Sequence, residues 1–141
     1  TRCHQLALYT IFEAPLQMMA DSPTAYIKEQ ESTDFISKIP TTFDETVALD
    51  GSVGNYISMA RKKGNNWYLG AITNWNGRDV TIDFSFLEKG KTFEADLFTD
   101  GLNTEKAPVD YKREKITVNS TTKMTFRLAS GGGLSAIISP K

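Results

Sequence analysis

The feature that most constrains this chain is a succession of short β-strand patterns that fills the sequence after Pro40. Apolar segments follow one another from Thr42 onward, separated by turn signals such as Asp50-Gly51 and Asn76-Gly77. Many short strands at this spacing are typical of an antiparallel sandwich or barrel. The length is close to that of an immunoglobulin-like sandwich. The sequence therefore predicts about eight or nine antiparallel strands in a β-sandwich that begins near Asp44.

One strand pattern indicates which side chains form the core. Strands are predicted most clearly at 53–61, 67–75 and 80–86, with further runs at 93–98, 109–113, 115–118, 124–128 and 134–138. In the run at 80–86, apolar residues alternate with polar ones, which is the period of two expected when one face of a strand is buried. We therefore expect these side chains to point into the sandwich core, with partial support from two later residues: Val80, Ile82, Phe84, Phe86, Phe126 and Leu128.

The residues before Pro40 follow a different pattern. Residues 2–12 predict a helix that is apolar on nearly all sides, which requires cover on all sides. Residues 16–20 form an apolar run that could be a buried strand, and 24–38 predict an amphipathic helix with a possible restart at Thr33-Asp34. Helix, strand, loop and helix is the order found in an α/β barrel. The first helix either docks on the sandwich or has its natural partners outside this chain.

Composition excludes several classes of function. Sixteen Lys and Arg balance seventeen Asp and Glu, for a net charge of −1, so we expect no nucleic-acid partner. No apolar run is long enough to span a bilayer, so we expect no membrane partner. Cys3 is the only cysteine, which excludes a disulfide framework and a zinc site built on several thiolates. The chain starts at Thr1 inside a helical pattern, which we interpret as a segment of a longer protein.

Few residues are candidates for chemistry. Cys3 and His4 are adjacent, so on a helix they point to different faces and make an improbable catalytic pair. Asp44 and Glu45 would point to opposite faces of a strand, which excludes them as a facing pair of glycosidase carboxylates. Glu29 and Glu31 lie on a predicted helix, where solvated surface acids are the usual interpretation. The sequence alone therefore assigns no catalytic residue and no metal ligand.

Two tryptophans are candidates for stacking against sugar rings. Trp67 and Trp75 share one face of a predicted strand, and Tyr68 lies on the other. Both faces of this strand are largely apolar, so packing in the core is the favoured interpretation. A sugar platform would require an exposed indole. Exposure of Trp67 and Trp75 therefore distinguishes a carbohydrate-binding module from a purely structural sandwich.

Three stretches together resemble one enzyme family. They are residues 2–9 (RCHQLALY), 12–23 (FEAPLQMMADSP) and 39–46 (IPTTFDET), the last running on into Tyr56 and Ala60-Arg61. They resemble the C-terminal third of glycoside hydrolase family 97, a family of α-glucosidases and α-galactosidases. The resemblance implies an N-terminal β-sandwich, a catalytic (β/α)8 barrel and a C-terminal β-sandwich in the longer protein. Residues 1–40 would be the tail of the barrel, with its last strand and helices, and residues 41–141 the C-terminal sandwich.

The resemblance carries no catalytic residue and no calcium ligand into this chain, because the family's carboxylates lie on earlier barrel strands. It does imply calcium in the longer protein, an α-linked oligosaccharide as its substrate, and a periplasmic or secreted location in a bacterium. Asp21 follows what would be the last barrel strand, and barrel active sites lie at the C-terminal ends of strands. Asp21 is therefore a candidate substrate contact at the barrel mouth, although it could equally cap the turn before Pro23.

Three hypotheses follow from the sequence. The favoured one is a non-catalytic C-terminal region that supports the barrel of a glycoside hydrolase, with the rest of the barrel as its partner. The second is a carbohydrate-binding module that uses exposed aromatic residues. The third is an independent enzyme, which the scarcity of His and Cys disfavours. The apolar helix at 2–12 also predicts that the isolated chain self-associates, with the helix covered by residues 16–39 and a second copy.

Overall fold

The structure is a computed structural model that describes residues Thr1–Lys141. Three helices open the chain, and eight strands and one 3-10 turn follow. The helices are α1 (Arg2–Ile11), α2 (Pro23–Lys28) and α3 (Gln30–Ile36). The strands are β1 (Glu45–Ser52), β2 (Tyr56–Lys63), β3 (Asn66–Thr73), β4 (Arg78–Asp83), β5 (Phe93–Asp100), β6 (Tyr111–Val118), β7 (Lys123–Leu128) and β8 (Gly133–Pro140).

The strands form two antiparallel sheets. The larger has the order β1-β2-β3-β8-β5-β6, and the smaller pairs β4 with β7. Because β8 inserts between β3 and β5, the last strand of the chain lies at the centre of the larger sheet. The predicted antiparallel β-sandwich of eight or nine strands is confirmed with eight, and β1 starts at Glu45, next to the predicted start at Asp44.

Several strand boundaries differ from the predicted ones. The predicted turn at Asp50-Gly51 lies inside β1, where the register shifts, and the hairpin turns instead at 53–55 around Gly54, whose φ is +76°. Because a backbone with positive φ favours glycine, the turn forms around Gly54. The predicted strands at 109–113 and 115–118 are a single strand, β6.

The strand predicted at 80–86 ends at Asp83. The Asp83 carboxylate accepts a hydrogen bond from the Ser85 amide at 2.9 Å and starts the 3-10 turn Phe84–Phe86. The predicted orientation of the side chains is nevertheless confirmed, because Val80, Ile82 and Phe84 are buried and Phe86 packs against the same core. The main core lies between the two sheets, where these residues and Leu128 meet Leu69, Leu97, Leu134 and Ile138 of the larger sheet.

Helix α1 covers the outer face of the larger sheet, over β3 and β8. Two glycines allow this close approach. A Cβ on Gly133 would lie 2.7 Å from the His4 Cα, and one on Gly70 would lie 3.0 Å from the Ala7 carbonyl oxygen. Any side chain at Gly133 would push the helix away, so the sheet is shaped to receive α1. Of the two interpretations of this helix, docking on the sandwich is the one that the structure shows.

The region between α1 and α3 differs from its prediction. Residues 16–20 form no strand, because a strand is stabilised by hydrogen bonds to a neighbour and no strand of this chain lies beside them. The helix predicted at 24–38 is divided into α2 and α3 at Glu29, whose backbone is non-helical, rather than at Thr33-Asp34. The division of the chain into residues 1–40 and 41–141 stays a prediction. No helix of the structure has the length and apolarity needed to cross a membrane.

Candidate functional site

The two candidate tryptophans lie in opposite environments. Trp67 is only 5% exposed and packs in the main core, with its ring centroid 4.9 Å from that of Phe86. A buried ring cannot stack on a sugar, so the favoured interpretation of core packing describes Trp67, and the alternative of a sugar platform does not hold for it. Trp75 is 86% exposed and lies beyond the end of β3, where the chain turns towards β4. Strand β3 ends at Thr73, so the shared strand face that the sequence suggested does not extend to Trp75.

The loop that carries Trp75 is held rigidly. The Asn74 side chain donates to the Gly54 carbonyl oxygen at 2.9 Å and accepts from the Asn76 amide at 2.9 Å. The Ser130 hydroxyl donates to the Trp75 carbonyl oxygen at 2.6 Å, which ties the loop to the segment before β8. The backbone on both sides of the exposed indole is therefore hydrogen-bonded to neighbouring loops.

A polar groove of about 530 Å³ lies beside this indole. It is formed by the start of α1, the loop after β3, the loop between β5 and β6, and the segment before β8; its lining includes His4, Gln5, Trp75, Thr104, Glu105 and Ser130. Glu105 accepts from the Ser130 amide through Oε1 at 3.1 Å, and its second oxygen has no hydrogen-bond partner. The groove therefore combines an exposed aromatic surface with a free carboxylate oxygen.

His4 and Cys3 act as separate residues. His4 Nδ1 lies 3.2 Å from the Gly132 carbonyl oxygen, and burial lowers the pKa of this imidazole, so it is neutral at pH 7. Since a carbonyl oxygen can only accept, Nδ1 carries the proton and Nε2 is left as an acceptor. Cys3 is fully buried, and burial raises the pKa of its thiol to about 12. A protonated, inaccessible thiol is no nucleophile.

Asp21 is exposed in the loop before α2. Its carboxylate accepts a hydrogen bond from the Ser22 amide at 2.7 Å, and its own amide donates to the Tyr26 hydroxyl at 2.6 Å. Ser22, not Asp21, caps α2 through a bond from the Ala25 amide. The role of Asp21 as a substrate contact stays a prediction, since no barrel strand lies beside it in this chain.

Of the acidic residues of α3 and its cap, Glu31 binds the sandwich and Glu29 binds α1. Arg113 on β6 binds Asp96 through two bonds, Nε to Oδ1 at 2.9 Å and Nη2 to Oδ2 at 2.6 Å, and reaches Glu31 through Nη1 at 3.0 Å. The Tyr111 hydroxyl donates to the other oxygen of Glu31, and Arg2 pairs with Glu29. The Tyr111 hydroxyl and the Arg113 guanidinium lower the pKa of Glu31, and Arg113 lowers that of Asp96. Glu29 and Glu31 are therefore structural ion-pair partners.

A set of large apolar side chains is exposed on the helical region. They are Phe12 at 59%, Leu16 at 80%, Met18 at 76% and Ile27 at 71% exposure. By contrast, Leu6 and Ile11 of α1 are buried, Leu6 against Phe35 of α3 and Ile11 against Gly70 of β3. We expected residues 16–39 and a second copy of the chain to cover α1. The structure shows that the larger sheet itself covers much of this helix.

Sequence reasoning missed several groove residues. Gln5 and Glu105 are separated by a hundred positions, and nothing in their local patterns marks them as neighbours. Ser130 lies in the segment before β8, and no local pattern marks its hydroxyl as the partner of the Trp75 carbonyl oxygen. The chain contains no group of three or more His, Cys, Asp or Glu residues that could hold a metal ion.

Comparisons with known proteins place this architecture in a family. A family model described as "Glycosyl-hydrolase 97 C-terminal, oligomerisation" matches residues 42–139. A retaining alpha-galactosidase of Bacteroides thetaiotaomicron is 50% identical over 133 residues, which is 94% of this chain and 20% of that protein. A probable retaining alpha-galactosidase of Streptomyces bingchenggensis is 26% identical over the same share of each chain. The chain thus spans about a fifth of the length of the curated relatives it matches.

Solved structures agree with this placement. A glycoside hydrolase family 97 enzyme from Pseudoalteromonas sp. strain K8, in complex with panose, is 38% identical with a TM-score of 0.95, over 99% of this chain and 22% of that one. A beta-arabinopyranosidase is 27% identical with a TM-score of 0.78, over 96% of this chain and 20% of that one. The α1–sandwich arrangement is thus shared along nearly the whole chain. Residues 42–139 are the part that the family model describes as oligomerisation. The chain belongs to glycoside hydrolase family 97, as a non-catalytic, C-terminal region of the enzyme that is built on a β-sandwich.

Proposed function

We propose that this chain is part of an enzyme that removes terminal α-linked galactose from oligosaccharides, and that it stabilises the catalytic barrel and its assembly without taking part in the chemistry. The support is the 50% identity to a retaining alpha-galactosidase. The neighbour solved with panose keeps α-glucosides as the second candidate substrate class. Any calcium ion of the longer protein would be held by residues outside this chain.

The observation that carries the non-catalytic role is the state of the acidic residues. Glycoside hydrolysis needs two carboxylates that flank one glycosidic bond. Here Glu29 pairs with Arg2, while Glu31 and Asp96 both pair with Arg113. The groove beside Trp75 contains a single carboxylate, Glu105. No second acid faces it across the groove.

Hydrolysis of an aryl α-galactoside and an aryl α-glucoside tests this role. We expect the purified chain to hydrolyse neither substrate. We expect the longer protein that contains it to prefer the galactoside. Measurable turnover by the chain alone, retained after further purification, would contradict the non-catalytic role. A preference of the longer protein for the glucoside would contradict only the substrate class.

The exposed apolar side chains of the helical region are the proposed contact with the rest of the barrel. In the relatives most of the length lies outside this C-terminal region. Exposed apolar surface costs about 25 cal/mol per Å², so four large bare side chains favour a partner. The unpaired segment 16–20 would also gain the neighbouring strand that it lacks here. Phe12, Leu16, Met18 and Ile27 therefore contact the barrel in the longer protein.

Serine substitutions at this surface provide the test. In the longer protein, Leu16→Ser and Phe12→Ser are expected to lower the temperature of inactivation, because they remove apolar contacts with the barrel. Leu102→Ser is a matched control, since Leu102 is fully exposed in the loop after β5. In the isolated chain, the same two substitutions are expected to reduce self-association, measured by sedimentation at micromolar concentration. Equal behaviour of all three variants would remove the proposed surface.

A truncated chain that begins at Pro40 and lacks the helices would be a poor control for the self-association experiment. It would expose the outer face of the sheet, where Tyr68, Phe98 and Ile137 are now covered by α1 and α3.

The proposed location, in the periplasm or outside a bacterial cell, rests on the family resemblance. Fractionation of cells that express the longer protein would test it.

A further inference from the structure

The edge of the larger sheet at β1 has little protection against pairing with another strand. β1 pairs with β2 alone, so its other side carries backbone amide and carbonyl groups with no strand to bind. Proteins usually guard such an edge with charged side chains, proline or a bulge. Residues 46–49 of β1 are Thr, Val, Ala and Leu, without charge and without proline. The irregular register of β1 falls after Ala48, so the edge is regular from Glu45 to Ala48.

The opposite edge of the same sheet is protected by charge. β6 pairs with β5 alone, and four charged residues follow one another in it: Lys112, Arg113, Glu114 and Lys115. Charged side chains on an edge strand disfavour pairing with a second strand, because they would lose part of their hydration. Of the two edges of the larger sheet, β1 is therefore the one that can accept another strand.

The main core is also incompletely closed along β1. Val47 and Leu49 point into this core but are only half-buried, as is Phe86 of the 3-10 turn. A cavity of about 310 Å³ lies here, lined by residues 47–49 of β1 and by residues of β4 and the 3-10 turn. β1 and β4 belong to different sheets, so this side of the sandwich is open. A strand added beside β1 would remove apolar surface from water, which is favourable.

We propose that β1 joins two copies of this region, each β1 pairing antiparallel with the β1 of a second copy about a two-fold axis. The occupant follows from the family model, which describes the sandwich residues 42–139 as oligomerisation and leaves out the helices. Antiparallel pairing of a strand with its own copy is self-complementary, as a closed two-fold dimer requires. The proposal rests on the assembly role proposed above and adds the surface that performs it.

Side-chain character selects the register of this pairing. When the axis passes beside Ala48, Val47 of each copy lies opposite Leu49 of the other, so half-buried apolar side chains meet. A pairing centred on Val47 would instead place Leu49 opposite the charged Glu45. The register centred on Ala48 is therefore favoured, and it places Ala48 of one copy directly opposite Ala48 of the other.

This surface is separate from the proposed contact with the barrel. That contact uses the exposed apolar side chains between Phe12 and Ile27, and α1 packs mainly over β3 and β8 in the middle of the sheet. Pairing at β1 therefore leaves the helical region free for the barrel.

Sedimentation equilibrium of the chain tests the proposal. Phe12→Ser and Leu16→Ser together form the background, so that the helical surface does not contribute to self-association. In this background we expect a monomer–dimer equilibrium at about 100 µM protein. Ala48→Lys should weaken dimerisation at least about tenfold, because the added charge would lie directly opposite the same charge in the second copy. Thr117→Lys is the matched control, since it adds this charge at an exposed position of the β6 edge and should leave dimerisation unchanged.

A mixture of opposite charges tests the two-fold register. Ala48 is exposed, so neither charge should disturb the folded monomer, which circular dichroism checks. Ala48→Glu should also dimerise weakly by itself, whereas an equimolar mixture with Ala48→Lys should regain the dimer, because opposite charges then face each other. A monomeric background chain, full dimerisation of Ala48→Lys, or a mixture that regains no dimer would each overturn the proposal. None of these outcomes affects the non-catalytic role, which the hydrolysis assay tests separately.

Discussion

The two faces of the six-stranded sheet are covered in different ways. On the inner face, Leu97, Leu134 and Ile138 pack against Val80 and Ile82 of the smaller sheet. On the outer face, the helices pack through aromatic contacts, such as Phe35 against Phe98 with ring centroids 4.6 Å apart. The outer contact also buries hydroxyl groups of Thr10 and Ser135 that have no hydrogen-bond partner, which is unfavourable.

The two faces are therefore expected to contribute differently to unfolding. The inner core depends on apolar volume, so its loss affects the entire sandwich. The helical cover depends on a close backbone approach at Gly133 and on the ion pair between Glu31 of α3 and Arg113, which Asp96 also binds. We therefore expect changes on the inner face to unfold the chain as a unit and changes on the outer face to loosen the helices first.

The largest expected effect lies on the inner face. Phe84→Ala should lower the free energy of unfolding by about 3–5 kcal/mol, because Phe84 is 1% exposed and its removal leaves a cavity. Urea denaturation followed by circular dichroism measures this loss. Phe12→Ala makes the same chemical change at an exposed site and should have a much smaller effect on the isolated chain. Similar losses for both variants would show that the inner face does not dominate stability.

The next effect separates the helices from the sandwich. Gly133→Ala should cost about 1–3 kcal/mol, because its Cβ would collide with the backbone of His4. Hydrogen exchange should become faster in α1 and stay nearly unchanged in β4 and β7. The control is Gly90→Ala, which has positive φ but open space around the position of its Cβ. Faster exchange in α1 for both variants would rule out the close approach as the cause.

The smallest effect concerns the ion pairs and depends on pH. Asp96→Asn should lower the free energy of unfolding by about 1–2 kcal/mol at pH 7, because Arg113 loses a charged partner. Arg113 lowers the pKa of Asp96 in the folded chain, so this contribution is present above the unfolded pKa of about 3.9. It is lost as the pH falls through the lower folded pKa, and the two proteins should then become equally stable.

Denaturation midpoints measured between neutral pH and about pH 2 would show this convergence. Glu94→Gln is the matched control, since Glu94 pairs with the exposed Lys115 at 2.8 Å. Exposed pairs contribute little to stability, so this variant should behave like the unchanged chain throughout. A difference for Asp96→Asn that persists in acid would contradict the role of the ion pair.

The sequence predicted the part of the fold that depends on local pattern. The alternation at Val80, Ile82 and Phe84 identified their buried side, although the strand itself ends at Asp83. The predicted strand limits were less accurate where residues typical of turns lie inside a strand. Asp50-Gly51 was predicted as a turn but lies in β1, whose register is irregular there. The segment 16–20 shows a different limit, because an apolar run becomes a strand only beside a partner.

The candidate groove could be predicted only in part. The sequence identified Trp67 and Trp75 as candidates, but not which of them is exposed. That difference arises because Trp67 faces the smaller sheet whereas Trp75 lies beyond the last residue of β3. Gln5 and Glu105 come together only because β8 places the start of α1 near the loop between β5 and β6. No local pattern encodes that proximity.

By itself, the sequence determined the class of fold, most of the strands, the part of the inner core that β4 and β7 supply and the likeness to one family, because each depends on side-chain periodicity or on local motifs. Only the tertiary structure decided where α1 docks, which indole faces the solvent and which acids bind arginine. These depend on contacts between residues far apart in the chain, such as His4 with Gly132 and Arg113 with Glu31. Such contacts are fixed by the order of strands in the sheet, which periodicity does not specify.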